Sequence, residues 1–193
     1  GQTDRAIPML EHALNGIASL LGDAHPTTRK IAFSNAKILF QVSEIEKGVA
    51  ILEVSLAAQR TNAKEVDLEL ADSLYQAAVL LISAKQFEKA EKCLRESLTV
   101  RDVGSSTSLD YLLCRSLLGT TLLGQNKFEE SEALLLNVYK NLQEIDFTEG
   151  NRKQEVLVSC LRGLVDFYTR SNDFESVRLW QPKLDAALSP TKE

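Results

Sequence analysis

The chain has 193 residues, 44% hydrophobic and 25% charged, with 22 Lys and Arg against 27 Asp and Glu for a net charge of −5. Only 9 Gly and 4 Pro interrupt a composition rich in Leu, Ala, Glu, Lys and Ser, which favours helices over a sandwich or barrel. A pI near 5.2 with no local Lys/Arg cluster argues against a nucleic-acid footprint. The longest run free of charge and strong polarity, Ala77 to Ala84, falls far short of the roughly 20 residues of a membrane span.

In chain order, QTDRAIPMLEHAL (2–14) has the apolar spacing of a helix expected over 3–21. LLGDAHPTT (20–28) is a linker in which Pro26 stops one helix and the threonines can cap the next. Helices are then expected over 28–42, 63–84, 108–125 and 152–171. They alternate with a second set: SEIEKGVAILEVSL (43–56), KQFEKAEKCLRESL (85–98), NKFEESEALLLNVY (126–139) and NDFESVRLWQPKL (172–184). In the second of these, Phe87, Ala90, Leu94, Ser97 and Leu98 form one helical face. Ser43-x-x-Glu46, Asn126-x-x-Glu129, Asn172-x-x-Glu175 and Asn62-x-x-Glu65 read as N-terminal caps. Ala36, Ala78, Gly119 and Val165 are expected where helices cross closely. Pro182 is expected to interrupt the last helix, and 189–193 is a short polar tail.

The second set is periodic. Its anchors Thr3, Ile45, Phe87, Phe128 and Phe174 are spaced by 42, 42, 41 and 46 residues, and the crossing residues by 42, 41 and 46. Such self-similarity is the mark of stacked helix pairs. One solenoid is expected over 1–193: a second helix of a truncated repeat (1–22), helix pairs at 23–62, 63–103, 104–146 and 147–188, and the tail. An array that begins in mid-repeat exposes an apolar face, so residue 1 is read as a boundary within a longer protein.

This pattern resembles the tetratricopeptide repeat, a helix–turn–helix unit with small residues at fixed crossings. The usual unit has about 34 residues; the longer period here, with the LLGDAHPTT linker, is similar to the repeat of kinesin light chains and of many bacterial signalling proteins. The last third, with Tyr139 and Trp180, resembles the repeats attached to bacterial Ser/Thr protein kinases. The resemblance implies an all-α, right-handed superhelix of about four and a half helix pairs. It further implies a cytoplasmic, non-catalytic interaction scaffold, the regulatory or recruitment region of a larger signalling protein. The alternatives are a self-assembling structural solenoid and a cargo or peptide adaptor of kinesin-light-chain type.

In this family four positions of each first helix face a concave groove. They correspond here to Lys30, Phe33, Lys37 and Phe40; to Asp72, Tyr75, Val79 and Ile82; to Leu113, Ser116, Thr120 and Leu123; and to Ser159, Arg162, Asp166 and Thr169. The peptide-binding candidates among them are Lys30, Phe33, Lys37, Phe40, Asp72, Tyr75, Val79, Ile82, Leu113, Thr120 and Arg162. Aromatic faces beside lysines suit a peptide with apolar anchors and some acidity. Chaperone-type repeats clamp a terminal carboxylate with Lys and Asn where this chain has Phe33 and Lys37, so that clamp is not expected. The backbone-gripping asparagines of kinesin light chains are replaced by Phe33/Ser34, Tyr75/Gln76, Ser116/Leu117 and Arg162/Gly163.

Reactive chemistry is sparse. Cys93, Cys114 and Cys160 form no C-x-x-C pair and read as buried thiols in a reducing compartment. Gly119 and Gly124 have phosphate-loop spacing, but Gln125-Asn126 stands where Lys-Ser/Thr is required. His12 and His25 lack metal-ligand spacing, and His25 suits a turn role. Trp180 and the phenylalanines that open helices read as core. No catalytic residue, cofactor or metal is expected, and the partner is a protein or peptide rather than nucleic acid or membrane. Self-association through the apolar face of 3–21 is the competing use of that helix.

Overall fold

The computed structural model describes residues 3–63, 67–102, 108–145 and 150–189, and the regular elements among them are all α-helical. In chain order these are α1 (Thr3–Leu21), α2 (Pro26–Gln41), α3 (Ile45–Asn62), α4 (Leu68–Ser83), α5 (Phe87–Asp102), α6 (Leu109–Gly124), α7 (Phe128–Glu144), α8 (Gly150–Arg170) and α9 (Phe174–Leu188). They form two compact units, Gly1–Cys93 and Leu94–Glu193, with the boundary inside α5.

Each tight reversal between paired helices is made in the same way. Ser43, Lys85, Asn126 and Asn172 all adopt positive φ, between 57° and 65°. At the first turn Ser43 N–H donates to Phe40 O (3.2 Å) and Glu44 N–H to Leu39 O (2.9 Å). The other turns repeat this pair: Lys85 to Ile82 and Gln86 to Leu81, Asn126 to Leu123 and Lys127 to Leu122, Asn172 to Thr169 and Asp173 to Tyr168. This is the Schellman closure, which satisfies the last carbonyls of one helix with a single left-handed residue.

Ser43, Asn126 and Asn172 are therefore helix terminators rather than the N-caps expected from their spacing to glutamate. The caps are the next residues, Glu44, Lys127 and Asp173, and of these Asp173 bonds the helix through its side chain, accepting from Ser176 N–H. That bond, with the Ser176 hydroxyl, holds the Asp173 carboxyl below its ordinary range. Glu46, Glu129 and Glu175 do occupy first turns, where the helix dipole favours them. Asn62 closes α3, and α4 is capped by Asp67, whose Oδ1 accepts from Leu70 N–H at 3.0 Å; Glu65 lies outside the described residues. Pro182 sits inside α9 without ending it, its ring exposed on the outer side. The tail beyond Ser189 lies outside the described residues.

Small residues bring paired helices together at a constant register. Ala36 is fully buried, and a Cβ at Gly48 would stand 3.2 Å from Ala36 O and 2.5 Å from Phe40 Cε1. Ala78 and Ala90 hold the same positions in the next pair and are fully buried. In the third pair Ser131 Oγ donates to Gly119 O at 2.7 Å, and a Cβ on Gly119 would fall 2.7 Å from Leu135 Cγ. The fourth pair departs from the expectation: Val165 is only half-buried. Gly163, two residues earlier, instead makes a close approach to the preceding pair, where a Cβ would lie 2.9 Å from Thr120 Cγ2 of α6 and from Leu135 Cδ2 of α7. Around these crossings Leu39, Leu52, Leu74, Leu94, Leu112, Leu122, Leu135, Leu142 and Leu164 are essentially inaccessible.

The left-handed turns and the glycine crossing are testable. A non-glycine residue at positive φ costs roughly 1–2 kcal/mol, so Lys85→Gly is expected to raise unfolding stability by about 1 kcal/mol. Asn126→Gly should gain less, because Asn tolerates this conformation. Conversely Gly119→Ala should lose about 1–3 kcal/mol through overpacking against Leu135, despite the better helix propensity of Ala. Urea denaturation followed by circular dichroism measures all three.

Candidate functional site

Within the first unit, α2 and α4 stand apart over an open cleft of about 950 Å³. Helical periodicity aims Lys30, Phe33 and Lys37 into it from α2, and Asp72, Tyr75 and Val79 from α4. Six of the eight positions expected to face a groove in these two helices are thus brought together. The other two are not: Phe40 turns onto Gly48 of α3, and Ile82 is half-buried away from the cleft.

Phe33 is a wall rather than a free contact surface, at 8% exposure, whereas Val79 is 42% exposed. Ser34, Ser73, Gln76 and Leu80 complete the lining. Arg29 and Glu69 border it and lie outside the four periodic positions that sequence spacing picks out. Arg29 donates to Gln59 Oε1 at 3.2 Å and stands 3.6 Å from Glu69 Oε2, so its charge is engaged. Lys30 and Lys37 are exposed, and among the described residues neither has an ion-pair partner. The α2 wall is therefore basic, and the floor between the helices is aromatic and aliphatic.

The second unit differs at the corresponding faces. Leu113 and Leu123 are buried at 4% and 0% exposure. Ser116 Oγ and Ser159 Oγ are 2.9 Å apart, and Gly163 packs against Thr120. Small side chains let α8 close onto α6, so Leu113 and Thr120 are packing residues there rather than groove contacts. Arg162 is exposed, and Asp166 pairs with Arg170 at 3.0 Å. On α2 the position of Ser116 is held by Phe33, and α2 and α4 stay apart over the cleft.

The titratable groups that depart from ordinary behaviour lie elsewhere. Burial pushes the Cys114 thiol up to about 11 and the Cys160 thiol up to about 12; their thiols donate to Leu94 O and Leu135 O. Burial, with the hydrogen bond to Glu132 at 2.7 Å, raises Tyr168 to about 12. Thiols held so high are inert as nucleophiles near neutrality. Cys93 is buried like the other two. Among the described residues no group of three or more His, Cys, Asp or Glu could hold a metal, and no helix is long and apolar enough to cross a membrane.

His25 lies in the turn as expected, but it, rather than the threonines, caps α2: its Nδ1 accepts from Thr27 N–H at 3.2 Å, and Pro26, Thr27 and Thr28 lie within the helix. Gly119 and Gly124 both lie within α6. Trp180 is core, 7% exposed, with Tyr139 edge-on at 4.9 Å and Lys183 above its ring at 4.2 Å. Phe128 and Phe174 are instead 38% and 60% exposed, while Phe87 is half-buried.

The split between wall and contact surface has a direct test. Phe33→Ala should cost about 3–5 kcal/mol as a core truncation. Val79→Ala should change stability by less than about 0.5 kcal/mol. Thermal denaturation of the two variants separates them.

A tetratricopeptide-repeat family model matches residues 69–144. Comparison with curated proteins gives no match. Among solved structures, the nearly identical TPR-like repeats of a chain assigned as a kinesin light chain from Podosopora anserina superpose with a TM-score of 0.72 at 16% identity, over 100% of this chain and 90% of that one. A single-substitution variant of those repeats gives 0.74 at 16% identity, over 100% and 89%. BtubC (BKLC) from P. vanneervenii gives 0.68 at 14% identity, over 98% and 76%. At such identities the likeness is one of fold. Residues 69–144 match the tetratricopeptide repeat family, and the likeness over the chain as a whole shows a shared fold of stacked helix pairs.

Proposed function

We propose that the chain is a protein–protein interaction scaffold whose α2–α4 cleft receives a peptide with apolar anchors and acidic flanks. The observation that carries this reading is the pairing of an aromatic and aliphatic floor, Phe33, Tyr75 and Val79, with two lysines that have no ion-pair partner among the described residues. Apolar anchors supply affinity through desolvation, while the lysines select the charge of the flanks. The finer form of the proposal is a cytoplasmic recruitment region of a larger signalling protein, of which a bacterial Ser/Thr kinase is the proposed example.

Selection from a displayed peptide library against the purified chain tests the cleft. Peptides with apolar and acidic positions should be enriched, and their affinity should fall with salt. Val79→Asp, and Lys30→Glu with Lys37→Glu, should each weaken binding at least tenfold, about 1.4 kcal/mol, with the helical circular dichroism unchanged. Enrichment of no peptide, or affinities unmoved by these substitutions, would overturn the proposal.

A second reading has an observation behind it. On α1, Met9, Leu20 and Leu21 are 71%, 80% and 45% exposed, an apolar surface through which the chain could self-associate. Sedimentation of the chain with Met9→Lys and Leu20→Lys would distinguish this use: a dimer lost on substitution favours it.

A further inference from the structure

The two ends of the α2–α4 cleft carry different charge. Arg29, near the start of α2, stands 3.6 Å from Glu69 in the first turn of α4, so the two helices run side by side from matched starts. Residues 42 apart in the chain therefore stand at one level of the cleft: Lys30 with Asp72, Phe33 with Tyr75, and Lys37 with Val79. The cations of α2 are spread along the helix, Arg29 and Lys30 at one end and Lys37 towards the other, and α2 has no acidic residue. The acids of α4, Glu69 and Asp72, fall within its first five residues, and α4 has no basic residue. At the starting end two cations thus meet two carboxylates. At the far end Lys37 meets Val79 and Leu80, and no acid lines the cleft there.

The electrostatic field therefore changes over a short distance. Lys37 lies seven residues beyond Lys30, about 10 Å along the helix axis, which an extended peptide covers in about three residues. A carboxylate laid beside Lys37 is attracted with nothing in the lining to offset it. One laid beside Lys30 is drawn by that lysine and repelled by Asp72 across the cleft. The next acidic residue along the chain from Lys37, Glu44, pairs with Lys47 at 3.5 Å. Lys37 is exposed and Val79 is 42% exposed, so both the charge and the apolar surface are open to a partner.

Taking the cleft as the peptide site, on which this inference rests, we propose that it is polarised, with the partner's charge read at Lys37 and Val79. The partner is a protein segment with one acidic residue beside an apolar one. Its acid lies at Lys37, and its apolar side chain packs on Tyr75 and Val79. About three residues away, at the Lys30 end, the segment meets balanced charge and no acid is selected. Asp72 is the specificity residue that keeps that end neutral.

Selection of a random displayed decapeptide library on the full chain and on its Lys37→Glu, Lys30→Glu and Asp72→Asn variants tests this. All three positions are exposed, and circular dichroism verifies that the helices are kept. The unsubstituted chain should enrich one acidic position adjacent to an apolar one. Lys37→Glu should replace that acid by Lys or Arg, and should weaken the originally selected peptides about tenfold. Lys30→Glu should keep the acid and weaken the same peptides less than about threefold. Asp72→Asn should add a second acidic position, about three residues from the first. Two acidic positions on the unsubstituted chain, equal losses in the two lysine variants, or no second acid in Asp72→Asn would overturn the polarity while leaving the cleft as the peptide site. Enrichment of apolar peptides without an acid would do the same. Enrichment of no peptide would overturn both readings.

Discussion

Two helices can pack along their length only if their backbones come close at the crossing, and in this chain that approach depends on pairs of small residues held at a constant register. Ala36 meets Gly48, Ala78 and Ala90 are both wholly buried at the same positions, and Gly119 accepts a hydrogen bond from Ser131. A single methyl at Gly48 or Gly119 would intrude on the ring of Phe40 or the side chain of Leu135. Because the backbones are close, leucines on either side of each crossing interdigitate and lose their water, and the burial of these leucines is the main favourable term. The three-residue Schellman reversals serve the same constraint. A longer turn would not return the chain at the register that brings the small residues face to face.

The same principle, applied between successive first helices, decides where a ligand can enter. In the second unit Ser116, Ser159 and Gly163 let α8 approach α6, and the hydroxyl contact at 2.9 Å takes the place a ligand would need. In the first unit Phe33 stands on α2 where Ser116 stands on α6, and α2 and α4 stay apart over a cleft with a basic α2 wall. Side-chain volume at these few positions therefore separates a packed face from an open one.

Much of this was legible in the residues. The period of about 42, the alternation of helices, the burial of Ala36, Ala78 and Gly119, and the turn at His25 all follow from local patterns that tertiary context leaves alone. The misread positions share a cause. Ser43, Asn126 and Asn172 suit both an N-cap and a left-handed C-terminal turn, and only the hydrogen bonds to Leu39, Leu122 and Tyr168 made by the following residues distinguish them. Pro182 was expected to break α9, yet a helix held by Trp180 and Leu184 in the core can accommodate an exposed proline. Val165 stands at a crossing by register but is only half-buried, and the close approach of α8 is the one Gly163 makes to α6 and α7 of the preceding pair.

What the sequence by itself determined was the all-α repeat and the faces its helices present, because helical periodicity and small-residue spacing are local properties repeated often enough to be read without coordinates. What only the tertiary structure decided was which of those faces stay open. Lys30, Phe33, Tyr75 and Val79 share a cleft while Leu113 and Thr120 are packed away. Those outcomes turn on distances between side chains far apart in the chain, set by the volumes of their neighbours, and no one-dimensional pattern records a distance.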